Sequence, residues 1–216
     1  GISRQDKTTK FYNTYRNGHR VQRVENVGEK ISPEDIPDIY LNSRAIHIGP
    51  VIDEISSDTL RYLRRNSNAL ITLDPQGFLR NNKDGEVLPK TMNKEILDFV
   101  DVIKVSEDDS GVIDRCETTI VTRGRKGSII FNNGNTIEIP AFETNVIDPT
   151  GAGDVYMAGF VKKYLESSKF NQKDLEECGL YAAATASFCL EDFGIRGIAD
   201  LSVVNGRYKE FLARLK

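Results

Sequence analysis

The stretch "NVIDPTGAGDVYMAGF", residues 145–160, decides how this chain is read. Two apolar residues run into Asp148-Pro149-Thr150, then Gly151-Ala152-Gly153-Asp154, then a helix-forming segment. A turn needs one glycine and a helix needs one cap, so a second glycine between two acids serves some further purpose. The first N–H groups of a helix have no partner inside it and lie at its positive end. Small residues at that point let an anion reach the backbone, either a phosphate or the charge that develops in a transition state. Asp154 falls within the first helical turn. Dipole capping alone accounts for an acid there, but capping does not call for Gly-Ala-Gly in front of it. A carboxylate beside an anion hole is what moving a phosphoryl group onto a hydroxyl requires, with the acid taking the proton. Asp148, where a strand leads into the loop, either positions a substrate or a metal-bound water or simply holds the loop.

Other uses of glycine can be set aside. A dinucleotide fingerprint needs glycine where Tyr156 stands, "GRKGS" near residue 125 does not follow the order of a Walker loop, and no G-x-S-x-G elbow occurs. The 216 residues carry a formal charge of -3, which gives no electrostatic case for nucleic acid or an anionic membrane, so phosphate handling must be local. No apolar run reaches the length of a membrane span. Cys116, Cys178 and Cys189 lack metal-ligand spacing and read as reduced thiols of a cytoplasmic protein, and His19 and His47 are too isolated for a zinc site.

Outward from that core, "KFYNTYRNGHRVQRV" places aromatic and β-branched residues on both sides of Asn17-Gly18, a hairpin signal. A lone ribbon is barely stable, so it should pack on something. "SPEDIPDIYL" predicts a short helix capped by Ser32. Short apolar runs follow at 45–50, 69–75, 101–105 and 118–124, with a helical spacing of Ile55, Leu60 and Leu63 between the first two. Strands alternating with helices imply a mainly parallel sheet covered on both faces. "GSIIFNNGNTIEIP" adds a hairpin over Asn133-Gly134, and helices are expected near 151–168, 173–190 and 202–215. The chain thus divides into a hairpin segment, 8–27, and an α/β domain, 31–216. In open sheets of this kind, ligands bind beyond the carboxyl ends of the strands. Here those ends are Gly49-Pro50, Asp74-Pro75, Ser106 to Asp109 and Arg123-Gly124.

"DPTGAGDVYMAGF" resembles the C-terminal signature of the ribokinase-like (PfkB) carbohydrate kinases, D-x-x-G-A-G-D-x-F/Y-x-x-G-F. "VTRGRKG" (121–127) resembles the family's T-x-G-x-x-G turn along the nucleotide. "DVIKVSEDD" (101–109) stands at its N-x-x-E segment, and "GLYAAATASFCLEDFGIRG" resembles the helix and loop bordering adenine. The resemblance implies a three-layer α/β sandwich with a small β lid, the lid being the front hairpin with Phe11, Tyr12 and Tyr15. It implies Asp154 as catalytic base and Gly151, Ala152 and Gly153 as the anion hole. Thr122, Gly124 and Gly127 would lie beside the nucleotide, and Asp148 near its γ-phosphate. ATP with Mg2+ would be the donor and a sugar, polyol or nucleoside the acceptor, with neither nucleic acid nor membrane as partner. Lids in this family sometimes pair, so the ribbon edge would permit a homodimer.

Two departures qualify the likeness. Ser106 and Asp109 replace the amide and the longer acid of N-x-x-E, so the metal would be held by Asp109 and Ser106, in part through water, with Glu107 or Asp108 as alternative acids. The early strands and the G-G-x-x-x-N element that hold the sugar have no counterpart here. That implies either a fragment of a full-length kinase or a reduced relative, and little sugar phosphorylation by this segment alone. A non-catalytic nucleotide-binding module is the alternative of a different class.

Overall fold

The aromatic and β-branched arms at the front of the chain do pair, and they pair with more than each other. In a computed structural model that describes residues 7–16, 19–112, 116–167 and 171–215, β1 (Lys10–Arg16) and β2 (His19–Glu25) run antiparallel, with Phe11 opposite Val24 and Tyr12 opposite Arg23. The Asn17-Gly18 turn lies outside the described residues. The described residues fall into two units, the first taking the chain to Ile103 together with 111–116 and the second comprising 104–110 and 117–216.

In the first unit the ribbon continues sideways. A second hairpin, β5 (Arg80–Lys83) and β6 (Glu86–Pro89), turns over Asp84-Gly85, both at positive φ (52° and 83°), as a type I′ turn requires. Arg23 pairs with Glu86, and the Val24 N–H donates to the Gly85 carbonyl at 2.9 Å, giving a four-stranded sheet in the order β1-β2-β6-β5. Residues 80–89 are mostly polar and show no clean alternation, which is why the sequence gives no sign of them as strands.

The same unit carries α1 (Asp38–Leu41), β3 (Ala45–Ile48), α2 (Ser57–Asn66) and β4 (Leu70–Leu73). The helix expected over 32–41 is broken. A 3-10 turn at Pro33–Asp35 ends before Pro37, and α1 starts after it, because proline cannot donate into a continuing helix. Ser56 caps α2 by accepting from the Thr59 N–H at 3.3 Å, and Leu60 and Leu63 bury its apolar stripe. Strands β3 and β4 are parallel, and β4 is parallel to the start of β7 (Val102–Ser106) through Thr72-Val102 and Leu73-Ile103. The α/β expectation holds.

The second unit begins within β7. Strands β8 (Thr118–Thr122), β9 (Ser128–Asn132) and β10 (Asn135–Ile139) form an antiparallel meander. Its second turn is the expected one, with Asn133 and Gly134 at φ 47° and 79°. Helices α3 (Ala152–Tyr164), α4 (Gln172–Leu190) and α5 (Leu201–Arg214) follow. Met157 and Phe160 of α3, and Ile120, Ile130 and Ile139 of the strands, are buried essentially completely. Helix α3 meets α4 at Gly159, where a Cβ would come within 2.7 Å of the Thr185 hydroxyl oxygen, so only a missing side chain permits this approach. Among the described residues no helix is long and apolar enough to cross a membrane.

Candidate active site

The residues expected to serve as base, anion hole, nucleotide contacts and metal ligands all fall in the second unit, so their geometry can be followed within that unit alone. The glycine-rich stretch opens α3. Gly151 is the N-cap, at φ 82° and ψ -5°, a left-handed conformation that other residues adopt only at a cost. No side chain caps the helix; the Ala152 N–H reaches the Pro149 carbonyl at 3.3 Å, and the first helical bond runs from the Val155 N–H to the Gly151 carbonyl at 3.0 Å. The N–H groups of Gly153 and Asp154 therefore belong to the turn that helical bonding leaves over. The Asp154 side chain is exposed in that first turn.

Asp148 ends the strap before the mouth. Its Oδ1 accepts from the Thr150 N–H at 2.9 Å, and hydrogen bonds from Thr150 hold its carboxyl below the usual carboxylate range. Of the roles open to Asp148, holding the loop is the one with a bond to show for it. Beneath the loop, the buried Cys189 thiol donates to the Thr150 carbonyl at 3.4 Å. Burial raises its pKa, and the negative charges of Asp148 and Asp154 push it further the same way.

The turn at the end of β8 is built on two glycines. Gly124 (φ 56°) starts it and Gly127 (φ 85°, ψ -136°) ends it, closed by Arg123 N–H to the Gly127 carbonyl at 2.8 Å and Gly127 N–H to the Gly124 carbonyl at 3.0 Å. A Cβ at Gly127 would stand 2.0 Å from the Ile139 carbonyl oxygen, so the end of β10 occupies the space of any side chain. The Thr122 hydroxyl donates to the Val105 carbonyl at 3.3 Å, leaving its oxygen lone pairs as acceptors. Between this turn and the α3 mouth opens a cleft of about 890 Å³, lined by Thr122, Gly124, Gly127, Ala152 and Gly153 and, farther along, Ala186 of α4. That volume is of the size small-molecule sites have. Tyr156, buried under it, bonds to the Ser128 hydroxyl at 2.8 Å and so joins α3 to the strand that follows the glycine turn.

Ser106 and Asp109 come together, the serine hydroxyl donating to Asp109 Oδ2 at 2.7 Å, while the neighbouring Glu107 meets Lys126 at 3.3 Å. Among the described residues no three acids, histidines or cysteines converge as a metal cage. That donor set fits magnesium, which keeps several waters and is held by one or two carboxylates plus substrate phosphates. Asp109 is exposed, as are the alternative acids Glu107 and Asp108.

The far wall is latched from α5. Arg207 donates to Glu191 Oε2 at 3.0 Å and to the Ser187 hydroxyl at 2.9 Å, and its guanidinium lies 3.4 Å from the Phe188 ring centroid. Thr144 donates to the same Glu191 carboxylate, and the Leu190 carbonyl accepts from the Ile147 N–H at 2.7 Å. Burial acts to raise the Glu191 pKa, but Arg207 and Thr144 outweigh it and the net displacement is downward. A depressed carboxyl contributes stability above its unfolded pKa and loses it as pH falls through the folded value. Glu191→Gln should therefore cost about 1 kcal/mol near neutral pH, after allowance for solvent screening of a partly exposed pair, and nothing once the parent carboxyl is protonated. Urea melts of the two proteins across pH 3–7 check this; a gap that persists in acid would contradict it.

Residues 101–200 match the pfkB family of carbohydrate kinases, and within them lie the glycine turn, the helix mouth and the Ser106–Asp109 pair. Over that stretch the chain is similar to the ribokinase-like (PfkB) family. It is 36% identical over 161 residues to a nucleoside kinase of Methanocaldococcus jannaschii, covering 71% of this chain and 51% of that protein. Against a cytidine kinase of Thermococcus kodakarensis the identity is 26% over 186 residues, 78% of this chain and 63% of the relative. The chain thus spans between half and two thirds of the length of these curated relatives. The fructokinase of Xylella fastidiosa with bound ATP superimposes with a TM-score of 0.76 at 16% identity, over 96% of this chain and 75% of that one. The ribokinase-like fold accounts for the arrangement of strands and helices here. Four residues that sequence reasoning passed over also stand at the site: Lys104, Tyr156, Cys189 and Glu191. Only Lys104 carries a local signal, as a charge inside an otherwise apolar strand.

Proposed function

We propose that this chain is the nucleotide-binding and catalytic part of an ATP-dependent kinase that phosphorylates a hydroxyl of a small polyol ring, foremost the sugar of a nucleoside. The observation that carries it is the glycine-opened mouth of α3, with the Asp154 carboxylate exposed beside N–H groups that the helix itself does not use. The acceptor hydroxyl gives its proton to Asp154 as its oxygen attacks the terminal phosphorus, and the bond to the diphosphate oxygen breaks. The amides of Gly153 and Asp154 hold the migrating negative charge, and one such donor is worth about 10² to 10³ in rate. Asp109, with Ser106 partly through water, would hold magnesium, which would supply positive charge to the donor phosphates. The cleft beside Thr122, Gly124 and Gly127 takes the nucleotide.

Nucleosides come first because the two relatives described above are a nucleoside kinase and a cytidine kinase. Aromatic residues such as Phe11 and Tyr12 suit a base as well as a sugar. The test is ADP release by the native full-length polypeptide that carries this segment, with Mg2+ and ATP, in the presence of cytidine, adenosine, ribose, fructose 6-phosphate or myo-inositol. Release that depends on a nucleoside is expected. Release with a free sugar or inositol alone would move the acceptor, and none with any of them would overturn the kinase reading.

A further inference from the structure

One side chain holds three members of the cleft's far wall from behind. That wall includes Ala183, Ala186 and Ser187 of α4, and Phe142 and Thr144 of the strap that follows β10. Arg207 of α5 stands against it. One guanidinium nitrogen donates to the Ser187 hydroxyl at 2.9 Å and lies 2.9 Å from Glu191 Oε1; the other donates to Glu191 Oε2 at 3.0 Å. Thr144 donates to that same carboxylate. The guanidinium carbon is 3.4 Å from the Phe188 ring centroid and 5.1 Å from that of Phe142.

A slot for a flat aromatic base works best when its walls stand ready, because every side chain that a ligand must order lowers its affinity. Ala183 and Ala186 have no rotamers to lose. Phe142, Thr144 and Ser187 do, and each is tied to Arg207: Ser187 by a direct bond, Phe142 by ring contact, Thr144 through Glu191. Neutralising Glu191 does not by itself call for arginine. A partly exposed pair is worth little, and a lysine would serve it as well. What lysine lacks is a planar fork that grips both carboxylate oxygens, reaches a hydroxyl and stacks on a ring at once.

We propose that Arg207 is a positioning residue for the donor's base: it fixes the wall against which the base lies and so governs affinity for the nucleoside part of the donor. This rests on the reading of the cleft as the nucleotide site. Arg207 takes no part in the transfer itself. The phosphate end is held by other bonds, those from Thr150 to Asp148 and from Cys189 to Thr150.

The test compares ATP with tripolyphosphate, which has three phosphates and no base, in the native full-length polypeptide that carries this segment. Arg207→Lys keeps a charge for Glu191 and removes the fork. By calorimetry, ATP should bind about 10-fold more weakly while tripolyphosphate stays within about twofold of the parent. KM for ATP should rise by about the same factor, with kcat at saturating ATP within about twofold, the pattern of lost uniform binding. The melting temperature should stay within about 2 °C, since the charge pair survives. Unchanged ATP affinity overturns the proposal. Equal losses for ATP and tripolyphosphate overturn it too, because they would mean general damage to the cleft. Phe188→Leu is the second variant: it keeps apolar bulk at a residue that does not line the cleft and removes the ring under the guanidinium. It should show the same split at about threefold, and equal losses for the two ligands would again count against Arg207. If ATP binding depends on Arg207 but no acceptor is phosphorylated, the kinase reading fails while the positioning role stands. If acceptors are phosphorylated and KM for ATP does not move in Arg207→Lys, the role of Arg207 fails alone.

Discussion

Asp154→Asn should lower turnover by about 10³-fold while ATP affinity stays within about threefold of the parent. Asparagine keeps the shape and the first-turn position of Asp154 and removes the ability to accept a proton at neutral pH. The amides of Gly153 and Asp154 remain, as does the cleft lined by Thr122, Gly124 and Gly127, so the donor still has its contacts. Loss of a negative charge close to bound phosphates would, if anything, tighten ATP slightly. A role in capping alone predicts something else: a modest drop in stability, since asparagine is less able than aspartate to complement the helix dipole, with turnover nearly intact. Single-turnover kinetics with a productive acceptor, paired with calorimetry of ATP, tells the two apart. Turnover equal to the parent's would remove Asp154 from the chemistry.

Gly127→Ala should destabilise the fold by on the order of 4 kcal/mol, which in a chain of 216 residues is a fall in melting temperature of about 10 °C. The methyl group would stand 2.0 Å from the Ile139 carbonyl oxygen and 2.7 Å from the Ala141 nitrogen, both backbone atoms that cannot swing aside. Its φ of 85° with ψ of -136° adds strain in a region that glycine alone occupies readily. Gly124→Ala is the control. That glycine is also left-handed, at 56°, but a Cβ there meets nothing within 4 Å, so the cost is only the conformational one, about 1 kcal/mol. The two glycines of one turn therefore answer to different causes. Thermal melts of the two variants reveal this directly, and equal losses would mean that the clash is relieved by movement of β10.

The parts of this molecule that could be read from sequence are those where short-range chemistry leaves few choices. Asn133-Gly134 between alternating apolar residues admits little but a tight hairpin turn, and both residues have the positive φ it needs. Gly151 to Asp154 were legible because too many special residues crowd a single helix start. The run 32–41 was misjudged because Pro37 interrupts it and its apolar residues are too few to insist on one helix. Strands β5 and β6 escaped notice because pairing with β2, rather than a buried face of their own, defines them. Lys104 and Arg207 could not be placed at all. Their partners lie about 50 and 16 residues away, at Gly153 and Glu191, and only tertiary structure brings them near.

The seam at Gly159 has a bearing on chemistry carried out elsewhere on the same helix. Gly159 is five residues after Asp154, about 7.5 Å along the axis. Because α3 rests there directly on Thr185 with no side chain as a spacer, the separation of the two helices is fixed by backbone and hydroxyl, neither of which yields much. The rod cannot pivot at that contact without lifting its mouth. Bulk added in the seam would tilt the carboxylate away from its target, and a packing fault remote from any ligand would present itself at the bench as a defect in catalysis.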